Sequence, residues 1–129
     1  MNSNLYADIP EECPSNGLIL KPINSDDIKV GVWIMPNNNN NGMLEDFAAF
    51  LIPDDDKLLP EVENVLDSIE ARGLNKYKPI HHSKAKIHTW LAWQEDPGTP
   101  MGSAVTKKYL TTTPPICQAF VNWLNALYN

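Results

Sequence analysis

The chain has 129 residues, a formal net charge of −6, 43% hydrophobic residues and 20% charged residues. This length and composition fit one globular domain with a single hydrophobic core. The acidic balance argues against a surface that binds nucleic acid by neutralising phosphates. One local basic patch is nevertheless present, made of Lys76, Lys78, His81, His82, Lys84 and Lys86.

The cysteines and the N-terminal residues indicate a cytoplasmic protein. Cys13 and Cys117 are far apart in the sequence and belong to no CxxC pair, so we expect neither a structural zinc site nor a disulfide. The first residues lack the basic and hydrophobic regions of a signal peptide. No apolar run reaches the ~18 residues of a membrane helix. We therefore expect a cytoplasmic location and no membrane partner.

The first part of the chain predicts an arm followed by a β-hairpin. Residues 1–16 are polar and contain proline, which predicts an extended arm in front of a single α/β domain over residues 17–129. The apolar run 17–20 and the β-branched run 28–35 flank a cluster of turn-forming residues, which predicts an antiparallel hairpin. Because both faces of the second run are apolar, we expect this strand to be covered on both sides.

An asparagine run follows the hairpin. Pro36 ends the second strand, and residues 37–41 are all asparagine. Asparagine tolerates left-handed backbone conformations, so the run predicts a flexible loop. The alternative is that Asn37, which follows the end of a buried strand, contributes to a ligand site.

The rest of the chain predicts helices and one short strand over residues 77–80. Asp56 is placed to cap a helix that ends near Arg72, and Ser83 is placed to cap the next helix. With the hairpin, these segments predict a small α/β fold in which a mixed sheet packs with four or five helices. The predicted helices begin near Met43, Asp56, Ser83, Gly102 and Thr113.

The segment 86–94, Lys-Ile-His-Thr-Trp-Leu-Ala-Trp-Gln, is the most distinctive stretch of the chain. One helical face follows the i, i+3, i+4, i+7 spacing and is occupied by Ile87, Trp90, Leu91 and Gln94. Tryptophan is more often a large core residue than part of a ligand pocket, so we expect Trp90 and Trp93 to be structural. His88 lies beside this face, where we expect a buried or half-buried imidazole bonded to a loop.

Adjacent acidic residues begin the first predicted helix. Glu45 and Asp46 are favoured at a helix N-terminus by the helix macrodipole alone. The alternative is a hard-cation site, in which these carboxylates join other ligands around Mg²⁺. Asp54 and Asp56 have the D-x-D spacing of such sites. They follow a helix rather than a buried strand, so we expect loop and capping roles for them.

The sequence contains no motif of a common enzyme mechanism. Its three histidines form no H-x-x-x-H pair, which is a usual spacing for zinc. No G-x-S-x-G nucleophile motif is present, and the glycines form no phosphate loop or dinucleotide fingerprint. Most enzyme classes are therefore not indicated.

Three segments together resemble an uncharacterised prokaryotic protein family of unknown function. They are Val-Gly-Val-Trp-Ile-Met-Pro-Asn-Asn at 30–38, Gly-Met-Leu-Glu-Asp-Phe at 42–47, and Ile-His-Thr-Trp-Leu-Ala-Trp-Gln at 87–94, followed by Pro97, Gly98 and Gly102. The resemblance covers residues 17–129. Longer members of this family resemble Toprim proteins, a metal-dependent fold of topoisomerases, primases and some nucleases. In such proteins an early glutamate and a D-x-D at a strand end hold magnesium.

The resemblance implies roles for several residues. Glu45 and Asp46 would be the metal ligands for Mg²⁺. The residues that would face a ligand or a phosphate are Asn37, Lys84, Lys86 and His88. The chain departs from the family pattern in two ways, because the segment with the early glutamate and the D-x-D strand is missing, and because many relatives have aspartate in place of Asn37.

We therefore expect a part of a Toprim-like domain that acts as a non-catalytic interaction or regulatory module. The alternative is a divalent-metal-dependent enzyme that acts on phosphodiesters, completed by a second chain. The lysine patch favours nucleic acid as a partner, whereas the net charge opposes it. We also expect a homodimer, because a two-stranded sheet is marginal and its edges invite pairing. If the N-terminal arm covers the edge instead, a monomer is expected.

Overall fold

The computed structural model describes residues 5–6, 8–24 and 26–129. Across these residues, five α-helices and one two-stranded antiparallel sheet form the small α/β fold that the sequence predicts. No helix within the described part of the chain has the length and apolar content that crossing a membrane requires.

The chain folds into two compact units. The first contains residues 1–43 and 113–129, and the second contains residues 44–112. A compact unit need not be an independent domain, so the single domain expected over residues 17–129 stays a prediction.

The first unit contains the predicted hairpin. Strands β1 (Leu18–Leu20) and β2 (Val30–Val32) pair antiparallel, with Ile19 opposite Gly31. Each strand has only three residues, so β2 is much shorter than the predicted run 28–35.

The expectation that the second strand is covered on both sides along its length is wrong at its two ends. Ile28 is 79% exposed and Ile34 is 52% exposed. The backbone N–H of Ile34 donates to Oδ1 of Asn38 at 2.6 Å. This bond turns the chain away from the ladder, so the apolar run does not continue as a strand.

The asparagine run folds into hydrogen-bonded turns. Asn38 has a φ of 64°, a conformation that asparagine adopts more readily than most residues. Its Nδ2 donates to the carbonyl oxygen of Ser15 at 3.2 Å. Oδ1 of Asn37 accepts from the backbone N–H groups of Asn39 and Asn40 at 3.2 and 2.9 Å. Side-chain amides therefore stabilise a defined turn within the predicted loop.

Helix α5 (Pro115–Tyr128) packs on the hairpin. Nε1 of Trp123 donates to the carbonyl oxygen of Leu18 at 3.0 Å. The backbone of Gly31 lies against this helix. A Cβ atom at this position would be only 2.6 Å from Cδ2 of Leu127, which is too close for a side chain. The absence of a side chain at Gly31 is therefore what allows the helix to approach the sheet.

An aromatic cluster lies between the hairpin and α5. The ring centroid of Trp33 is 5.2 Å from that of Phe120, edge to face, and 5.7 Å from that of Trp123. Nε1 of Trp33 donates to the carbonyl oxygen of Pro36 at 3.2 Å. Each ring buries apolar area while the indole N–H groups keep hydrogen-bond partners.

The described residues of the N-terminal arm lie along the hairpin. Tyr6 forms an isolated bridge with Pro22, and its hydroxyl donates to the carbonyl oxygen of Ile28 at 2.9 Å. Sγ of Cys13 lies 3.7 Å from the carbonyl oxygen of Val32. Residues 1–4 and 7 of the predicted arm lie outside the described residues.

Every residue of the second unit is described, and together they form four α-helices. These are α1 (Leu44–Phe50), α2 (Leu58–Ala71), α3 (His82–Ala92) and α4 (Met101–Thr106). Helix α3 packs against both α1 and α2. The core of this unit consists of the buried side chains of Phe47, Ala48, Leu51, Ile52, Val62, Leu66, Ile87, Trp90, Leu91, Ala104 and Leu110.

Two local predictions in this unit are wrong. Residues 77–80 do not form a strand, because Pro79 begins a 3₁₀ turn and proline has no N–H to donate to a sheet. Ser83 does not cap α3, because the helix already begins at His82. The hydroxyl of Ser83 instead donates to Oδ1 of Asp46 at 2.6 Å.

Three of the four residues of the face predicted for α3 are buried, whereas the fourth, Gln94, is half-buried and lies beyond the end of the helix. Two neighbouring residues are more exposed than expected. Ile87 is 0% exposed, and Trp90 and Leu91 are each 1% exposed. Trp93 is 47% exposed, and His88 also lies on the solvent side of the helix. The expected burial of His88 is therefore wrong, and Trp90 alone of the two tryptophans belongs to the core.

Asp56 connects the start of α2 to the centre of α3. Its Oδ2 accepts from the backbone N–H of Leu59 at 2.7 Å, which is the capping role predicted for it. The same oxygen accepts from Nε1 of Trp90 at 2.9 Å. One carboxylate therefore satisfies both a helix-end donor and a buried indole.

We expect Trp90→Ala to lower the free energy of unfolding by about 3–5 kcal/mol, because it empties a fully buried site. The matched change Trp93→Ala should cost under about 1 kcal/mol, since nearly half of that side chain is already in solvent. Urea unfolding followed by circular dichroism measures both values. Equal effects of the two substitutions would contradict the assignment of Trp90 to the core.

Candidate functional site

The second unit brings four of the predicted site residues into two clusters around α3. In the first, Glu45 and Asp46 occupy the first turn of α1, and Nζ of Lys84 lies 3.6 Å from Oε1 of Glu45. The side chain of Glu45 is only 12% exposed. Asp46 accepts the hydrogen bond of Ser83, so α1 and α3 are joined by an ion pair and a hydroxyl–carboxylate bond.

The predicted metal ligands are thus engaged with protein groups. A lysine ammonium already neutralises Glu45, and hydroxyl donation to Asp46 satisfies part of that carboxylate. Among the described residues, no three side chains of His, Cys, Asp or Glu are grouped so that they could hold a metal ion. In this arrangement the two carboxylates link α1 to α3, and no third carboxylate, imidazole or thiolate of the described residues is grouped with them.

A second cluster joins α2 to α3. Of its four residues only Lys86 was predicted as a site residue, whereas Glu63, Glu70 and His82 were not. Nζ of Lys86 lies 3.9 Å from Oε1 of Glu63. Nδ1 of His82 lies 3.0 Å from both carboxylate oxygens of Glu70. A carboxylate only accepts hydrogen bonds, so this geometry assigns the donor hydrogen to Nδ1. Like Lys84 and Lys86, His82 therefore pairs with an acidic residue of a neighbouring helix.

Tyr77 lies beside this second cluster. Its hydroxyl is buried and has no hydrogen-bond partner in the described part of the chain. Burial raises the pKa of the Tyr77 phenol above its ordinary value of 10.0, and the negative charge of nearby Glu70 raises it further. The phenol therefore loses its proton at a higher pH than an exposed tyrosine does. The signal for this environment was absent from the sequence, because it depends on which acid folds next to the ring.

Asn37 belongs to the first unit, where its side chain closes the turn described above. A cavity of about 700 Å³ lies next to this turn. Oδ1 of Asn38 lies 3.2 Å from Sγ of Cys13 within its wall, and both cysteines of the chain are free thiols. The cavity is lined by Glu11, Glu12, Cys13, Pro14, Ser15, Ile34 and residues 38–41.

Charge is strongly segregated along the second unit. Residues 71–94 contain five lysine and arginine residues and no aspartate or glutamate, so the rest of the chain carries a formal charge of −11. Within this stretch Leu74 is 55% exposed and Ile80 is 70% exposed. Lys76 and Lys78 are exposed and take part in none of the ion pairs that the described residues form. The predicted basic patch therefore has two parts. Lys84 and Lys86 on α3 are paired with acidic residues of the same unit. Lys76 and Lys78, in the loop before α3, belong to no ion pair of the described residues.

We expect Tyr77→Phe to protect the fold at alkaline pH. Because the folded-state pKa of Tyr77 is raised, its ionisation favours the unfolded chain, so the stability of the fold is unaffected by this group below pH 10.0 and falls as the pH rises from 10.0 towards the folded-state pKa. At pH 7 the substitution should be neutral or slightly stabilising, since it removes a buried hydroxyl that lacks a partner. Urea unfolding at pH 7, 9 and 11 follows both proteins.

Tyr128→Phe is the matched control, because Tyr128 is 83% exposed. This variant should lose stability above pH 10 in parallel with the wild type. If Tyr77→Phe lost stability in the same way, Tyr77 would have an ordinary pKa in the folded protein.

Comparison with known proteins identifies a family and no individual relative. The model of the family described as "Protein of unknown function (DUF3226)" matches residues 1–129. No curated protein matches the chain, and no solved structure does. Since the family model covers the full sequence, the chain belongs to the DUF3226 family of proteins of unknown function.

Proposed function

We propose that the chain is a cytoplasmic, non-catalytic interaction module derived from a Toprim-like domain, and that its partner is a second copy of itself. The observation that carries this proposal is the internal pairing of the candidate polar residues. Glu45, Asp46, Glu63 and Glu70 each contact a side chain of α3.

Internal pairing opposes catalysis for a physical reason. A metal ligand or an acid–base group must face the position that the substrate will occupy. These four carboxylates face lysine, serine and histidine side chains of α3 across helix interfaces. Releasing Glu45 for a metal would leave the ammonium of Lys84 without its partner, so the two roles compete. Such pairs are better suited to fixing the relative positions of helices.

Self-association is supported by exposed apolar side chains in a small fold. The sheet has two strands within the described residues, which is marginal without further cover. Ile28 and Ile34, two residues before and two residues after β2, are exposed. The described part of the arm lies beside the hairpin, as the alternative of a monomer requires, so the hairpin edge is a weaker candidate interface than the sequence suggests.

The second candidate function is a divalent-metal-dependent enzyme that acts on phosphodiesters and is completed by another chain. The observation in its favour is a largely buried carboxylate, Glu45, next to Asp46 and within 3.6 Å of Lys84. In this proposal Glu45 and Asp46 bind Mg²⁺ and Lys84 turns to a phosphate. The further ligand-facing residues of this proposal are Asn37, Lys86 and His88.

We expect purified protein to cleave neither supercoiled plasmid nor single-stranded DNA in the presence of Mg²⁺ or Mn²⁺. We also expect calorimetric titration with either ion to show no stoichiometric binding, since the described residues offer no three-ligand group. The variant Glu45→Gln provides the comparison, because it keeps the shape of the side chain and removes its charge. Glu95→Gln, at an exposed position of the same unit, is its control.

Metal-dependent cleavage that disappears in Glu45→Gln and persists in Glu95→Gln would establish the enzyme instead of the interaction module. A weak activity that both variants retain would point to a contaminating nuclease. The mass of the protein in solution tests the other half of the proposal and is independent of either activity.

A further inference from the structure

Helix α2 and its C-cap residue Arg72 present a stripe of four exposed residues on the flank of the helix, about 100° around the axis from its buried face. Val62 and Leu66 are buried against the unit. The exposed stripe follows the i, i+4, i+7, i+11 spacing of one helical face and consists of Glu61, Val65, Ser68 and Arg72. Val65 is 42% exposed, so an apolar side chain lies at the centre of the stripe.

The stripe is self-complementary. The midpoint between Glu61 and Arg72 is also the midpoint between Val65 and Ser68. A twofold axis through this point would align two copies of α2 antiparallel, with Glu61 of each copy opposite Arg72 of the other. Val65 would then meet Ser68, whose small side chain permits close approach of the two helices.

Further charged residues beyond the two ends of the stripe are also acidic before α2 and basic after it. Asp54 and Asp55 precede α2 and are exposed, whereas Lys76 and Lys78 follow it and are exposed. None of these four residues belongs to an ion pair within the described residues. The antiparallel alignment places the acidic end of each copy near the basic end of the other, and antiparallel helix dipoles add to this attraction.

We propose that this stripe of α2 is the surface through which a second copy of the chain binds. The proposal rests on the proposed function and specifies the interface of that dimer. It differs from the hairpin-edge dimer because its contacts are side chains of one helix rather than backbone groups of a strand. Nε of Arg72 donates to the carbonyl oxygen of Ser68 at 3.3 Å. Among the described residues the guanidinium has no other hydrogen bond, so its remaining donors can face the partner.

Charge reversal tests the pairing directly. We expect wild-type protein at micromolar concentration to have a mass near twice 14.5 kDa by sedimentation equilibrium. Glu61→Arg places like charges opposite each other twice in the symmetric dimer, and so does Arg72→Glu. Each should weaken association by at least about tenfold.

The double variant Glu61→Arg/Arg72→Glu restores both opposite-charge pairs and should recover the wild-type dimer. An equimolar mixture of the two single variants should also associate, because every pair in the mixed dimer is then of opposite sign. The double variant has the wild-type net charge, so its recovery cannot come from a change in overall charge. It also opposes the dipole of α2 at both ends, so recovery cannot come from a more stable helix.

Glu95→Arg and Lys21→Glu are matched controls with the same changes of charge at exposed positions outside the stripe. Both should remain dimeric, and circular dichroism should show that all variants are folded. A dimer that the single variants leave unchanged would overturn the α2 interface and leave the proposed dimer in place. A wild-type mass of 14.5 kDa at all concentrations would overturn both. Loss of association in the single variants without recovery in the double variant would overturn the specific pairing.

Discussion

The carboxylate of Asp56 is the constraint on which the second unit depends. It accepts from the first turn of α2 and from the indole of Trp90, so it ties the start of one helix to the core residue of another. A buried indole N–H without a partner would cost about 1–3 kcal/mol. Once Trp90 is held in place, the register of α3 against α1 and α2 is determined.

That register explains the pairs on both sides of α3. Ser83 and Lys84 meet the first turn of α1, whereas His82 and Lys86 meet acids on α2. Each exposed pair contributes little to stability by itself, at most about 1 kcal/mol. Their common feature is that the basic residues of α3 have acidic partners on two different helices. The pairs therefore favour one packing arrangement over others more than they add to the total stability.

The sequence predicts those features that depend on local patterns. The buried face of Ile87, Trp90 and Leu91 follows from helical spacing, and the cap at Asp56 follows from its position before a helix. The hairpin follows from two apolar runs on either side of turn-forming residues, whereas those runs do not indicate that α5 is the helix that packs on it.

Side-chain pairing could not be predicted in the same way, because it depends on which distant residues the fold brings together. Serine is a residue type that often caps helices, yet the hydroxyl of Ser83 donates a hydrogen bond to a carboxylate 37 positions away in the chain. Tyr77 carries no local sign of its raised pKa, since Glu70 reaches it only through the folded turn. The site residues were thus predictable as polar side chains, whereas their partners, which decide between catalysis and structure, were not.

The charge distribution of α2 can be explained partly by the helix alone. The macrodipole favours acids such as Glu61 in the first turn and bases such as Arg72 at the end, whatever the helix binds. It does not explain the exposure of Val65, nor the lysines at 76 and 78, which lie beyond the last turn. An antiparallel partner helix accounts for all three features, because it covers Val65 and brings acidic residues to the basic end.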